Sequence, residues 1–212
     1  GRENDWFLWE SGRPRCFELV YGLFRGPHDG QIGACSMILS RKWAMPNANT
    51  FSIKPIKELI ESHLSDGKWV DPFVRTSIFK DRMLFTNDLN TKIMADYHLD
   101  ALDFLKIFKN NTIDGILFDP PYSPRQVKEC YDNIGQKVFQ KDTKSSFWGN
   151  IKKEIGRVVK PGGKVITFGW NSGGCGKTNG FEISEVLIVP HGGWHNDTIA
   201  TLEIKLEDND DQ

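Results

Sequence analysis

The sequence predicts an α/β fold, a doubly wound and mostly parallel sheet that ends in a C-terminal antiparallel hairpin strand. Three observations carry this. Short apolar strands alternate with segments of helical periodicity. The run Ile113–Phe118 is almost continuously apolar, as a central parallel strand buried on both faces requires. The chain closes with two strands joined by the glycine-rich stretch Pro190-His191-Gly192-Gly193-Trp194-His195-Asn196, too short for a crossover, so the pair must form a hairpin.

Taken in order, residues 1–39 hold Trp6, Phe7, Trp9, Phe17, Val20, Tyr21, Leu23 and Phe24, too apolar for a disordered tail. Gly22, Gly26, Pro27, Gly30 and Gly33 interrupt any long element there. An extension packing onto the body is expected. Ile53, Ile56, Leu59, Ile60 and Leu64 repeat at helical spacing. Lys68 to Phe73 reads as a short strand ending in Asp71-Pro72, and Met83-Leu84-Phe85 as a second that leads to Asn87-Asp88. Thr91–Asp96 and Ala101–Phe108 predict helices, the latter placing Leu102, Leu105 and Phe108 on one side. Ser145 to Val159 is amphipathic, with Phe147, Ile151, Ile155 and Val158 inward, and Lys160-Pro161-Gly162-Gly163 should stop it. Val165–Phe168, Phe181–Val189 and Asp197–Lys205 complete the strands.

At 212 residues this is one domain with an appendage: an extension over 1–39, a body over 40–207 and an acidic tail over 208–212. With 39% hydrophobic residues, 14 Phe and 7 Trp, a full core is available. No apolar run approaches the ~18 residues of a membrane span and no signal peptide is visible, so a cytoplasmic location is expected. Cys16, Cys35, Cys130 and Cys175 lack CxxC spacing, which argues against a zinc site or a disulfide framework and fits a reducing compartment. Net charge is −1, yet Ser123 to Lys164 holds ten Lys/Arg against four Asp/Glu.

That basic stretch begins directly after Asp119-Pro120-Pro121-Tyr122, which closes the apolar run. An acid, two prolines and an aromatic at a strand's carboxyl end suit one chemical task. A planar amino group on a nucleobase can donate to the Asp119 carboxylate and to the Pro120 carbonyl, whose direction the prolines fix by locking φ. The Tyr122 ring can stack on the base. Two acceptors on one NH2 shift lone-pair density back onto nitrogen and make it a nucleophile toward a methyl donor. The plain alternative is a strand followed by a proline turn. A phosphate backbone must lie near any base being modified, which is how the neighbouring cations are read.

With Asp71-Pro72-Phe73, Asn87-Asp88, Asp119-Pro120-Pro121-Tyr122 and a closing hairpin in one chain, the sequence resembles class I S-adenosylmethionine-dependent methyltransferases, with a Rossmann-like methyltransferase sheet. Within them it is similar to the DNA adenine-N6 branch with Dam-like motif order, of the small orphan type found in phages and mobile elements. Arg41-Lys42-Trp43-Ala44, Asp100-Ala101 and Gly169-Trp170-Asn171-Ser172 add to the resemblance, which covers roughly residues 40–207. It implies S-adenosyl-L-methionine as cofactor. Asp71, Pro72 and Phe73 would line its methionine end, and Trp43, Thr50 and Phe51 would cover it. Asp88 would take the ribose hydroxyls, and Asp100 with Ala101 the adenine. Asp119, Pro120, Pro121 and Tyr122 would be catalytic, acting by direct attack of the amino nitrogen with no covalent enzyme intermediate. The implied partner is double-stranded DNA, contacted by Arg125, Gln126, Lys128, Trp170, Asn171, His191, Trp194 and His195. Arg13, Arg15 and Arg25 are further candidates, and a homodimer or second subunit is compatible.

The pattern departs from the family at one place. After Asp-Pro-Phe a glycine-rich turn is usual, where backbone and cofactor come close; here Val74-Arg75-Thr76-Ser77 contains no glycine. Thr76 and Ser77 hydroxyls are one replacement for the missing backbone donors. The competing functions are RNA adenine-N6 or DNA cytosine-N4 methylation, and a non-catalytic nucleic-acid-binding subunit. Helix capping competes for Asp88 and Asp100, plain core for Trp43, and a tight turn with a satisfied imidazole for His191.

Overall fold

The computed structural model describes residues 18–21, 37–132, 134, 135 and 145–207. Arg13, Arg15, Arg25, Cys16, Cys35 and the acidic tail lie outside them, as do 133 and 136–144. Among the described residues eight strands form one sheet: β1 (Glu18–Tyr21), β2 (Met37–Arg41), β3 (Trp69–Asp71), β4 (Phe85–Thr86), β5 (Ile113–Phe118), β6 (Val159–Gly169), β7 (Phe181–Val189) and β8 (Thr198–Lys205). Their spatial order is β1-β2-β7-β8-β6-β5-β3-β4. The pairs β2/β7, β6/β5, β5/β3 and β3/β4 are parallel. Strand β8 runs against both β6 and β7, as the hairpin required. Ahead of α1 two strands join the sheet: β2, which crosses the expected boundary at residue 39, lies beside β7, and β1 pairs antiparallel with it.

Four α-helices are described: α1 (Lys54–His63), α2 (Ala101–Lys106), α3 (Pro124–Asp132) and α4 (Ser145–Val158). Side chains alternate across the strands, and that alternation builds two cores. Trp69, Leu117, Ile166, Phe168, Leu187 and Leu202 face one side, where Ile56, Leu59 and Ile60 of α1 cover them. Val70, Ile116, Phe118 and Val165 face the other, under Phe104 and Leu105 of α2 and Ile151, Ile155 and Val158 of α4. Gly115 is fixed by close approach, because a Cβ there would sit 2.5 Å from the Trp69 ring.

Several boundaries differ from expectation. The predicted helix over Thr91–Asp96 is a series of turns. Asp88 and Asn90 each accept a hydrogen bond from an amide two residues on, and Asp96 is drawn to the Thr86 amide and hydroxyl. Those local bonds compete with a helix for the same backbone. Lys160-Pro161-Gly162-Gly163 is a bulge inside β6 rather than a loop before it, since the pairing jumps from Ile113↔Val159 to Gly115↔Lys164. The residues after Tyr122 that carry Arg125, Gln126 and Lys128 form helix α3. Among the described residues no helix is long and apolar enough to cross a membrane.

Candidate functional site

The sheet order reverses between β3 and β5: β4 extends from one side of β3, while β5 and β6 extend from the other. At such a switch point the loops leaving the two central strands diverge and open a crevice at their carboxyl ends. Here those ends are Asp71-Pro72-Phe73 and Asp119-Pro120-Pro121-Tyr122. The crevice is a cavity of about 670 Å3, within the range of small-molecule sites. Pro72, Phe73, Asp88, Asp100, Ala101, Asp119, Pro120, Pro121 and Tyr122 all line it, so most of the expected contacts converge. Thr50, from the segment before α1, closes one side; Phe147 and Trp148 of α4 close another.

Asp119 sits at the end of β5 with its carboxylate already engaged. The Tyr122 hydroxyl donates to Asp119 Oδ1, and the Thr50 side chain bonds the same carboxylate. Burial pushes the Asp119 carboxyl above its ordinary range, opposed by those hydrogen bonds and by the charge of Arg75. Burial and the neighbouring Asp119 charge hold the Tyr122 hydroxyl far up, so it remains a donor. The Tyr122 ring is half-buried against the α1-side core and meets Trp170 edge-on, centroids 5.8 Å apart. It therefore orients the carboxylate as well as offering an aromatic face, a role not legible in the tetrapeptide. Gln126 on α3 accepts from the Tyr122 amide at 2.6 Å and thereby fixes the turn.

Asp71 lies beneath the cavity and is fully buried. Its Oδ1 accepts from the Phe73 amide at 2.9 Å, while its Oδ2 is buried with no hydrogen-bond partner among the described residues. Burial, and secondarily the charges of Asp119 and Asp88, push its carboxyl up to about 8. A buried, half-satisfied carboxylate is costly without a donor or a cation. Asp88 accepts from the Arg75 amide at 3.0 Å and the Asn90 amide at 2.8 Å, which fixes both its oxygens at the rim. Each oxygen keeps a second lone pair for a ligand hydroxyl. Asp100 is the N-cap of α2, accepting from the Leu102 amide at 2.9 Å, and it lines the cavity as well. Capping and lining are compatible. Asn87, which sequence reasoning passed over, is buried and ties the layer together: its amide donates to the Pro72 and Leu99 carbonyls, and its oxygen accepts from the Leu99 amide.

Other expected contacts fall elsewhere. Trp43 is 63% exposed and outside the cavity lining, and Phe51 turns into the core against Phe168. His191 lines the cavity but is buried with both ring nitrogens engaged. Nδ1 donates to the Ala44 carbonyl at 2.9 Å, and in the neutral ring Nε2 accepts from the Thr198 hydroxyl at 2.8 Å. It is a satisfied turn histidine. His195 and Trp170 do line the cavity, whereas Trp194 projects fully into solvent beyond it. Asn171 bonds the Gly173 amide and lies off the cavity. The following Gly174-Cys175-Gly176 turn is pinned by buried Glu203, which accepts from the Cys175 and Gly176 amides.

The basic stretch is also less free than its composition suggests. Arg125 pairs with Glu129 along α3, Arg157 with Glu154, and Lys160 with Asp114 at the opposite end of β5 from the cavity. Lys128 is exposed on α3, outside the cavity lining.

No protein-family model matches the sequence, and no curated protein matches it either. Solved structures with a similar fold include TrmN from Thermus thermophilus, at a TM-score of 0.47 and 15% identity over 73% of this chain and 49% of that one. The chain thus spans about half the length of TrmN. Another is the 1,6-didemethyltoxoflavin-N1-methyltransferase of Burkholderia thailandensis, with 1,6-didemethyltoxoflavin and S-adenosylhomocysteine bound (0.47, 11% identity, 73% and 78% covered). A third is the N-methyltransferase NodS from Bradyrhizobium japonicum WM9 (0.49, 9% identity, 73% and 96% covered). At these identities the likeness is one of sheet arrangement alone.

Proposed function

We propose that this chain transfers the methyl group of S-adenosylmethionine to N6 of an adenine flipped out of double-stranded DNA. The observation that carries the reading is the position of Asp119-Pro120-Pro121-Tyr122. The tetrapeptide lines one wall of a nucleoside-sized cavity, and the acids expected at a nucleoside cofactor, Asp88 and Asp100, line the same cavity. The residues present fit such a cofactor. The orphaned Oδ2 of Asp71 calls for a cationic donor, which an amino-acid ammonium supplies, and Asp88 holds carboxylate oxygens ready for a pair of hydroxyls. When bound, the cofactor supplies an electrophilic methyl on a sulfonium, released as a neutral thioether.

The protein's own part is acceptance and orientation. Asp119 would accept one N–H of the exocyclic amine and the Pro120 carbonyl the other, which returns lone-pair density to the nitrogen. Positive charge would develop on that nitrogen as the methyl leaves the sulfonium for it. The Asp119 carboxylate stabilises it in a setting largely cleared of water. The proton then leaves the nitrogen through Asp119 to solvent. Tyr122 holds the carboxylate, and its ring with that of Trp170 supplies aromatic faces for the base. Extrusion from the duplex costs ~ a few kcal/mol, which contacts along α3 and around His195 would offset.

The test is transfer of tritium from labelled donor to duplex DNA, single-stranded DNA and RNA, with the methylated base identified by hydrolysis. N6-methyladenine in duplex DNA is the expected product. Asp119→Ala is expected to abolish transfer while the fold and most of the DNA affinity persist. Wild-type rates in that variant would remove Asp119 from the mechanism. Label recovered in RNA or in cytosine would reassign the substrate.

A further inference from the structure

The turn after β3 is where the absence of glycine is hardest to reconcile with ligand binding. Arg75 there adopts φ 41°, one of two non-glycine residues with positive φ among those described. A side chain in the left-handed region is strained by roughly 1 kcal/mol or more, and such outliers gather at ligand clamps. Glycine would remove the strain, so the arginine side chain must contribute something that glycine cannot.

Its surroundings indicate what. Val74, Thr76 and Ser77 do not line the main cavity; Ser77 is buried and accepts from the Phe79 amide, so it is no substitute donor. Arg75 does line it. The acids lining the same cavity are Asp88, Asp100, Asp119 and Glu129, with Asp71 beneath. Among the lining residues Arg75 is the one with a permanent positive charge, and no ion pair engages it among the described residues. Its amide is anchored on Asp88 at 3.0 Å, which fixes where the side chain leaves the backbone. Its charge is felt by Asp119 and Tyr122 on the β5 side and by Cys130 on α3, so it stands between the walls. One free guanidinium among several acids is a charge pattern complementary to a zwitterion.

We infer that Arg75 anchors the carboxylate of an amino-acid head group in this cavity, replacing the backbone amides of a glycine-rich turn. The acids that share the cavity with it, Asp88, Asp100 and Asp119, supply the negative surroundings for the ammonium. This rests on the methyl-donor reading above and adds to it a residue-level selection for ligands that retain their α-carboxylate. Planar guanidinium and carboxylate match in a two-pronged pair, which lysine cannot reproduce.

The experiment is calorimetric titration of S-adenosylhomocysteine, which has the carboxylate, and 5′-methylthioadenosine, which lacks the amino-acid head. Both are titrated into wild type, Arg75→Gln, Arg75→Lys and Arg75→Gly, with thermal unfolding as a fold control. Arg75→Gln should weaken S-adenosylhomocysteine about 10- to 100-fold, the effect of losing a hydrogen-bonded charge pair. Methylthioadenosine should stay within about twofold. Arg75→Lys should recover part of the loss. Arg75→Gly should raise the unfolding temperature while losing the same discrimination. Unchanged S-adenosylhomocysteine affinity in Arg75→Gln, or equal loss of both ligands, overturns the carboxylate assignment and leaves the methyl-donor reading standing. No binding of either ligand to wild type overturns both.

Discussion

Replacing Asp71 with asparagine tests whether the cavity is built around an unmet charge. The carboxyl is fully buried, has one oxygen without a partner among the described residues, and is pushed from 3.8 up to about 8. Its proton is held more tightly in the folded chain than in the unfolded one. Below about pH 4 both states are protonated and the group costs nothing. As pH rises, the unfolded state ionises first, and stability falls until the folded-state group ionises near pH 8. At about 1.4 kcal/mol per pH unit, the decline between pH 5 and pH 8 is roughly 4 kcal/mol. Asparagine keeps the acceptor for the Phe73 amide and cannot ionise, so the Asp71→Asn variant lacks this decline. Urea unfolding followed by tryptophan fluorescence at pH 5, 6, 7 and 8 measures it. The other titrating groups, Asp119 and Glu203 included, are present in both proteins and cancel in the difference. The unpartnered side-chain amide of the variant adds a constant cost, not a pH slope. Between pH 5 and pH 8 the variant should gain on wild type by roughly 4 kcal/mol, whatever the constant offset between them. Saturating S-adenosylhomocysteine should flatten the wild-type curve by supplying the missing cation. Parallel pH profiles for the two proteins would refute the argument, because then Asp71 is not an isolated charge in waiting.

Tyr122→Phe removes the donor that helps keep Asp119 ionised. Activity needs the carboxylate and is lost as pH falls through its raised pKa, so losing the Tyr122 donor should move the acid limb of the kcat profile to higher pH. An unmoved limb would mean that Tyr122 serves only the base. Gly115→Ala drives a methyl into the Trp69 ring 2.5 Å away and should lower stability by about 2 kcal/mol or more, read as a depressed Tm.

Much of this protein is set by local chemistry that a sequence displays. Apolar alternation and turn residues are local, so the helix over 54–63, the strand over 113–118 and the closing hairpin could be read directly. The place of the tetrapeptide, at the carboxyl end of β5, could be read because the apolar run that makes the strand leads directly into it. Failures came where a side chain's partner is remote in sequence. Thr91–Asp96 has helical composition, but Asp96 bonds to Thr86 across the loop. For His191 a DNA contact and a satisfied turn imidazole both stay open until the fold closes Ala44 and Thr198 on it. The basic run counts ten cations, yet Arg157 is paired with Glu154 within α4 and Lys160 with Asp114 at the end of β5 away from the cavity.

Periodicities of two and 3.6 residues, with one contiguous motif, make the layer architecture and the acid-proline turn after β5 legible in the chain alone. Which acids share a cavity, that Asp71 lies below it with an oxygen unmet, and that Arg75 is the one Lys or Arg among the described lining residues emerge only from the assembled fold. Electrostatic meaning depends on distance and burial, and those are created only when β3 and β5 are laid side by side.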